Sequence, residues 1–178
     1  IMIKKHKNIL SLKDLKKFEE QVSENTNFSW YLKHSSVDNY PSKTTFDSFL
    51  FFNHEVLIRP EHRNGTNGVN SFLYPFMEEI FSKFMNQIKV KYKECFRINI
   101  NLTFNNGHTQ CPLHVDHKYK HKQLLIYLNK NVDPLSCTVI KDKKYKPEYN
   151  TGILFDNVPH YHIVPKEGHR IVVVYTFI

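Results

Sequence analysis

The sequence predicts a mainly β fold with N-terminal helices, an α+β chain whose strands close into a jelly roll. Before about residue 94, apolar residues recur at helical spacing in two segments. After residue 95 come short apolar segments with strand-like alternation, separated by turn residues, which is typical of a sandwich or jelly roll. With 178 residues we expect one domain over 1–178, with helical support over about 1–94 and a β core over about 95–178.

The N-terminal half predicts two amphipathic helices. In residues 11–23, Ser11 can cap the helix and Asp14 lies in its first turn. Residues 71–91 form the longest predicted helix, and its wide apolar stripe is more typical of core packing than of a cofactor site. Between them we expect one or two strands in 46–58 and a turn-rich loop in 61–70.

The C-terminal half predicts a series of short strands. The last one is apolar on both faces, as expected for a central strand that is covered on both sides. The predicted strands are 96–104, 112–116, 123–129, 138–141, 152–156, 160–164 and 169–177.

Composition and charge indicate the cellular compartment, the state of the cysteines and the kind of partner to expect. No apolar run is long enough to cross a membrane and the first residues do not resemble a secretory leader, so we expect a cytoplasmic protein without a membrane partner. The three cysteines predict reduced thiols. A net charge of +8, with basic clusters in 89–93, 118–122 and 141–146, favours an anionic partner and leaves nucleic acid open, although solvated surface is an equal explanation.

The sharpest local signal is the pair His114 and Asp116. Residues two apart in a strand point to the same side, so both side chains would face one interior point. With a further histidine they would form a facial triad that leaves three metal positions open, which suits non-haem Fe(II). Alone the pair is weak, because a surface histidine beside a turn aspartate gives the same pattern.

An arginine opens the last predicted strand. Arg170 precedes a continuous apolar run, where an unpaired guanidinium would be costly to bury. A carboxylate ligand would offset this cost by accepting two parallel hydrogen bonds from the guanidinium. The alternative is an arginine at the strand mouth that pairs with a nearby acid.

Together, His114, Asp116, a distal histidine and Arg170 resemble the pattern of the 2-oxoglutarate/Fe(II) oxygenase superfamily, whose fold is a double-stranded β-helix. Residues 125–133, which contain Tyr127, are similar to the tyrosine strand of its prolyl 4-hydroxylase-like branch. The resemblance covers about 96–177. It implies Fe(II) held by His114, Asp116 and a distal histidine, and 2-oxoglutarate anchored by Arg170 and Tyr127, with O₂ as the other co-substrate.

The distal ligand has two candidates. His160 stands ten residues before Arg170, a spacing that resembles the family, so we favour it. His162 lies on the same face and is the alternative ligand or a group supporting the site. The chain also departs from the family: Phe104 stands where a tyrosine is usual, and Leu135, Ser136 and Cys137 replace a glycine pair, changes that we expect at the pocket edge.

The resemblance implies a dioxygenase that hydroxylates an unknown substrate, a protein side chain being favoured by likeness, with no protein acid or base needed. No second arginine follows Arg170 at the spacing of the nucleic-acid demethylase branch, which weighs against base demethylation. One rival is a cupin-like jelly-roll module that binds without catalysis. The other is a zinc hydrolase in which a carboxylate such as Glu167 would be the base, although that function leaves Arg170 unexplained.

Overall fold

The computed structural model describes residues 1–34 and 49–178. Within these ranges the chain is mainly β, with two short α-helices, as predicted. The helices are α1 (Leu12–Phe18), extended by a π-helical turn (Glu19–Ser23), and α2 (Tyr74–Gln87), and a 3-10 turn covers Pro60–His62. The strands are β1 (Ile3–Lys7), β2 (Tyr31–Lys33), β3 (Phe51–Leu57), β4 (Cys95–Phe104), β5 (Lys122–Tyr127), β6 (Thr138–Ile140), β7 (Lys143–Tyr145), β8 (Thr151–Asp156), β9 (His160–His162) and β10 (His169–Phe177).

The described strands form two antiparallel sheets. The larger has seven strands in the order β1-β8-β5-β10-β4-β3-β2, and the smaller has three in the order β7-β6-β9. Strand β10 lies at the centre of the larger sheet, hydrogen-bonded to β4 on one side and β5 on the other. The prediction of a central, doubly covered last strand is therefore confirmed.

The two faces of the larger sheet bury different cores. On one face α2 packs against β10, where the rings of Phe81 and Tyr175 stack at 5.0 Å and the Tyr175 hydroxyl donates to the Met77 carbonyl at 3.0 Å. On the other face Val172 and Val174 belong to a second cluster that includes Ile140 of the smaller sheet. The space between the sheets is where the polar cavity described below lies.

Several elements differ from the sequence predictions. The predicted strand over 46–58 begins at Phe51 in the structure, and residues 46–48 lie outside the described ranges. Strands β1, β2 and β7 were not predicted, because short, largely polar edge strands lack the alternation of a half-buried strand. The region before residue 95 thus supplies three strands as well as the helices.

Turn geometry also shortens one predicted strand. Strand β6 ends at Ile140 because Lys141 and Asp142 both adopt positive φ, 49° and 64°, and make a two-residue connection to β7.

None of the helices in the described part of the chain is both long and apolar enough to cross a membrane.

Gly152 in β8 is a position where the fold tolerates no side chain. An added Cβ would lie 2.8 Å from the Leu125 carbonyl oxygen and would clash with Ile9. We expect Gly152→Ala to lower the free energy of unfolding by about 1–3 kcal/mol, through overpacking against Ile9 and the backbone of β5. Denaturant unfolding measures it. Gly65→Ala, where nothing lies within 4 Å, is the control for backbone strain alone, which should cost about 1–2 kcal/mol. A loss below about 1 kcal/mol for Gly152→Ala would contradict the packing explanation.

Candidate metal centre and anion pocket

A cavity of about 840 Å³ is lined by residues from both sheets. Strands β4, β5 and β10 of the larger sheet contribute one wall, and β6 and β9 of the smaller sheet contribute another. The segment that contains His114 and Asp116 also lines it. The cavity therefore gathers most of the residues that the sequence singled out.

The segment 112–116 is not a strand, so that prediction is wrong. His114 makes only a single bridge to His160, through backbone hydrogen bonds of 2.9 and 3.1 Å. Pro112 has no N–H to donate to a ladder, which disfavours a regular strand here. The side chains of His114 and Asp116 nevertheless turn to one point, for reasons other than strand alternation.

His114, Asp116 and His160 form a group that could hold a metal ion. One ligand atom from each lies within 4.8 Å of the others. Asp116 Oδ2 is 3.7 Å from His160 Nε2, and it is buried without a hydrogen-bond partner. A buried carboxylate oxygen with no donor is costly, and a cation beside it would remove that cost. The donor set therefore fits a divalent metal ion.

Both histidines present the correct nitrogen. The Nδ1–H of His114 donates to the Pro112 carbonyl at 2.8 Å, and that of His160 donates to the Val158 carbonyl at 3.0 Å. Each Nε2 is then left with its lone pair, as a metal ligand requires. Burial also lowers the pKa of His160 to about 4, which keeps its ring neutral.

Two arginines hold Asp116, and the sequence did not single out either. Arg97 Nη1 lies 2.6 Å from Asp116 Oδ1, and Arg59 donates to the Asp116 backbone carbonyl at 3.1 Å. Burial alone would raise the pKa of Asp116, but Arg97, with the neighbouring histidines and Arg59, holds it well below its usual range. The sequence signal that could have indicated Arg97 is the alternation of side chains along β4. That alternation puts Arg97, Asn101 and Thr103 on the face that lines the cavity.

His117 fixes the same segment from its other side. Its side chain is fully buried, and it contacts Thr176 Oγ1 on β10 at 3.0 Å and Glu61 Oε1 at 2.8 Å. Burial lowers the pKa of His117 to about 4, so a neutral ring donates to Glu61 and accepts from Thr176. The segment is thus fastened to the central strand and to the 3-10 turn.

Arg170 lies in the same cavity, with 3 % of its surface exposed. Its Nη2 donates to Thr138 Oγ1 at 2.8 Å, the Tyr127 hydroxyl is 2.6 Å from the same oxygen, and its guanidinium lies 5.3 Å from the centre of the Tyr127 ring. Within residues 1–34 and 49–178 no carboxylate forms an ion pair with Arg170, and its Nε has no partner. Arg170 is therefore a buried cation that no carboxylate in the described part of the chain pairs with.

His162 does not join the group of three ligands. Its Nδ1 contacts the Cys111 thiol at 3.1 Å, and its own backbone N–H donates to the same sulfur at 3.2 Å. Burial lowers the pKa of His162 well below its usual value. The structure therefore brings His160, rather than His162, to His114 and Asp116.

Other predicted positions lie away from the cavity. The ring of Phe104 packs on Phe52, and neither Phe104 nor residues 135–137 are among the cavity-lining residues, so the expectation that they shape the pocket edge is wrong. Glu167, the base of the zinc hydrolase alternative, is exposed and also outside the cavity. Of the basic clusters, only 118–122 contributes lining residues, Lys118 and Tyr119.

The fold is that of the 2-oxoglutarate/Fe(II) oxygenases. An oxidoreductase of the 2OG-Fe(II) oxygenase family from Burkholderia pseudomallei aligns with 98 % of this chain and 84 % of its own, at 12 % identity and a TM-score of 0.71. A prolyl hydroxylase from Trichoplax adhaerens, solved with a hypoxia inducible factor peptide fragment, aligns with 98 % of this chain and 82 % of its own, at 11 % identity and a TM-score of 0.64.

A third neighbour is the viral collagen prolyl hydroxylase of Paramecium Bursaria Chlorella virus-1, solved with 2OG. It covers 98 % of this chain and 93 % of its own, at 14 % identity and a TM-score of 0.57. No family model and no curated protein sequence matches the chain. The resemblance to the oxygenases and their prolyl hydroxylases, stated from a few motif residues, is confirmed at the level of fold.

Proposed function

We propose that this chain is a 2-oxoglutarate- and Fe(II)-dependent dioxygenase that hydroxylates a substrate not yet identified. In this proposal residues 1–178 are one domain, and the two sheets are the halves of a double-stranded β-helix. The observation that carries it is the buried guanidinium of Arg170, which no carboxylate of residues 1–34 and 49–178 pairs with, in the same cavity as a histidine–aspartate–histidine group. A metal site alone would not require Arg170. A dicarboxylate co-substrate that binds the metal ion at one end needs the metal site there and Arg170 at its other end.

His114, Asp116 and His160 would hold the metal ion. Their Nε2 lone pairs and the unpartnered Asp116 Oδ2 supply two imidazoles and one carboxylate, a donor set that suits non-haem Fe(II) and leaves positions for co-substrates. When bound, Fe(II) supplies the chemistry that couples decarboxylation of the 2-oxo acid by O₂ to hydroxylation of a C–H bond. His162 would support the cavity wall through Cys111 instead of ligating the metal.

Arg170 and Tyr127 would bind the far carboxylate of 2-oxoglutarate. A guanidinium in a buried site donates two parallel hydrogen bonds to a carboxylate, and Arg170 still has an unpaired N–H. Tyr127 would either donate directly or position Thr138, whose hydroxyl both side chains share. No residue is assigned as a catalytic acid or base.

The substrate is proposed only as a class. A neighbouring prolyl hydroxylase was solved with a peptide fragment, which supports a peptide side chain as the group that is oxidised. The large apolar side chains of Leu113, Val115 and Tyr119 are exposed beside the metal ligands and line the cavity, as a peptide-binding rim would require. The cupin-like binding module without catalysis is the alternative.

Succinate production tests the proposal. Purified protein given Fe(II), O₂ and 2-oxoglutarate should form succinate slowly even without its substrate. Asp116→Ala should reduce this by at least about 100-fold, because it removes a proposed metal ligand. Asp156→Ala, a carboxylate on β8 outside the cavity lining, is the control and should retain the activity. Protein that forms no succinate and shows no iron-dependent 2-oxoglutarate binding would instead favour the binding module.

A further inference from the structure

The ion pair between Arg97 and Asp116 is unusually short and well supported for a candidate metal ligand. The Arg97 Nη1 to Asp116 Oδ1 distance is 2.6 Å, and both side chains are 9 % exposed. With the Asn99 amide in the orientation that satisfies its neighbours, its oxygen accepts from Arg97 Nη2 at 2.9 Å. Arg97 therefore occupies one carboxylate oxygen of Asp116 and leaves Oδ2 to face His160.

The charges around the cavity do not favour a lone divalent cation. Among the described residues that line it, the only carboxylates are Asp116 and Glu61. The lining cations among them are Arg59, Arg97, Lys118 and Arg170, so positive charges outnumber negative ones. The charge of Asp116 is offset by Arg97, and the cation of Arg170 lies in the same cavity. A divalent ion is held more weakly where nearby cations offset the charge of its carboxylate ligand, because charge interactions are strong in a poorly solvated interior.

We propose that Arg97 makes metal binding depend on the dicarboxylate co-substrate. By offsetting the negative charge of Asp116, Arg97 keeps the affinity of the empty cavity for a divalent ion low. The two negative charges of 2-oxoglutarate would then supply the negative charge that the metal ion needs. Metal ion and co-substrate then bind cooperatively, each raising the affinity for the other by the same factor. The inference rests on the proposed function, and it assigns to Arg97 a role in positioning Asp116 and setting its charge.

A purely structural role for Arg97 predicts the opposite sign. If Arg97 only oriented Asp116, its loss would loosen the carboxylate and weaken metal binding. If its charge opposes the metal ion, Arg97→Gln, which can still donate a hydrogen bond to Oδ1, should bind metal more tightly than the wild type. Arg97→Lys keeps the charge and is the matched control.

The test is a titration of the metal-free full chain with Mn²⁺, followed by calorimetry or electron paramagnetic resonance, with and without 2-oxoglutarate. For the wild type and Arg97→Lys we expect 2-oxoglutarate to tighten Mn²⁺ binding at least tenfold. For Arg97→Gln we expect Mn²⁺ binding without 2-oxoglutarate to be at least tenfold tighter than in the wild type, and the effect of 2-oxoglutarate to shrink accordingly.

Two outcomes would overturn the inference. One is wild-type protein that binds Mn²⁺ equally well with and without 2-oxoglutarate, a result that needs no variant to fold. The other is Arg97→Gln that keeps the thermal unfolding transition of the wild type and binds Mn²⁺ no more tightly. Failure of the proposed function is a different result, in which neither Mn²⁺ nor 2-oxoglutarate binds under any condition.

Discussion

Replacing Arg170 with methionine is expected to weaken 2-oxoglutarate binding at least about 30-fold while leaving the ligand-free protein at least as stable as the wild type. Arg170 is 3 % exposed, and no carboxylate of the described chain pairs with it. Replacing a buried charge by an apolar side chain of similar volume is often neutral or stabilising by about 1–4 kcal/mol. Removing one member of a buried charged hydrogen-bonded pair costs a complex about 2–5 kcal/mol, so affinity should fall at least about 30-fold.

Calorimetric titration with 2-oxoglutarate in the presence of Mn²⁺, together with denaturant unfolding of the metal-free protein, measures both effects. Arg170→Lys is the control, because it keeps the charge and loses the two-pronged donor. It should bind 2-oxoglutarate more weakly than the wild type and should not gain stability. A methionine variant that unfolds more easily and still binds 2-oxoglutarate would show that Arg170 is structural, held by Thr138 and Tyr127 alone.

His160→Ala and His162→Ala are expected to differ sharply in metal binding, although the two residues are only two apart. His160 Nε2 faces Asp116 Oδ2 at 3.7 Å, whereas His162 Nδ1 is engaged by the Cys111 thiol. Loss of a group that only supports a ligand typically costs about 10–100-fold in metal affinity, so loss of the ligand itself should cost at least about 100-fold. His162→Ala should stay within that lower range.

Mn²⁺ titration of both variants in the presence of 2-oxoglutarate makes the comparison. Each variant removes one imidazole from β9, so a general loss of stability would appear in both and can be followed by thermal unfolding. If His162→Ala lost metal binding and His160→Ala retained it, the assignment of the distal ligand would be reversed, and the alternative that the spacing left open would be correct.

Most of the scaffold was predictable from periodicity. The helix α2, the central place of β10 and the strand that contains Tyr127 follow from apolar patterns that local chemistry and burial both favour. The gathering of His114, Asp116, His160 and Arg170 in one cavity was also expected, although from resemblance rather than from periodicity. Edge strands such as β1 were missed because little of their surface is buried.

What could not be predicted depends on contacts between residues far apart in the sequence. Asp116 faces the site because Arg97 and Arg59 hold it, not because it lies on a strand, and the ion pair joins positions 19 residues apart. Thr138, which contacts both Arg170 and Tyr127, carries no motif of its own. Such partners can be identified only from the three-dimensional structure, in which the pairing and register of the strands are known.

The two ends of the cavity are built on supports of different rigidity. Arg170 lines one end from β10, and Tyr127, which is not a lining residue, lies behind it on the neighbouring strand β5; apolar cores cover both faces of this sheet. His114 and Asp116 lie on a segment without a ladder, held by a few ion pairs and side-chain hydrogen bonds. Local opening is therefore cheaper at the end that holds His114 and Asp116. Under the proposed function, metal binding would order that segment, whereas the dicarboxylate would bind to side chains that are already fixed in place.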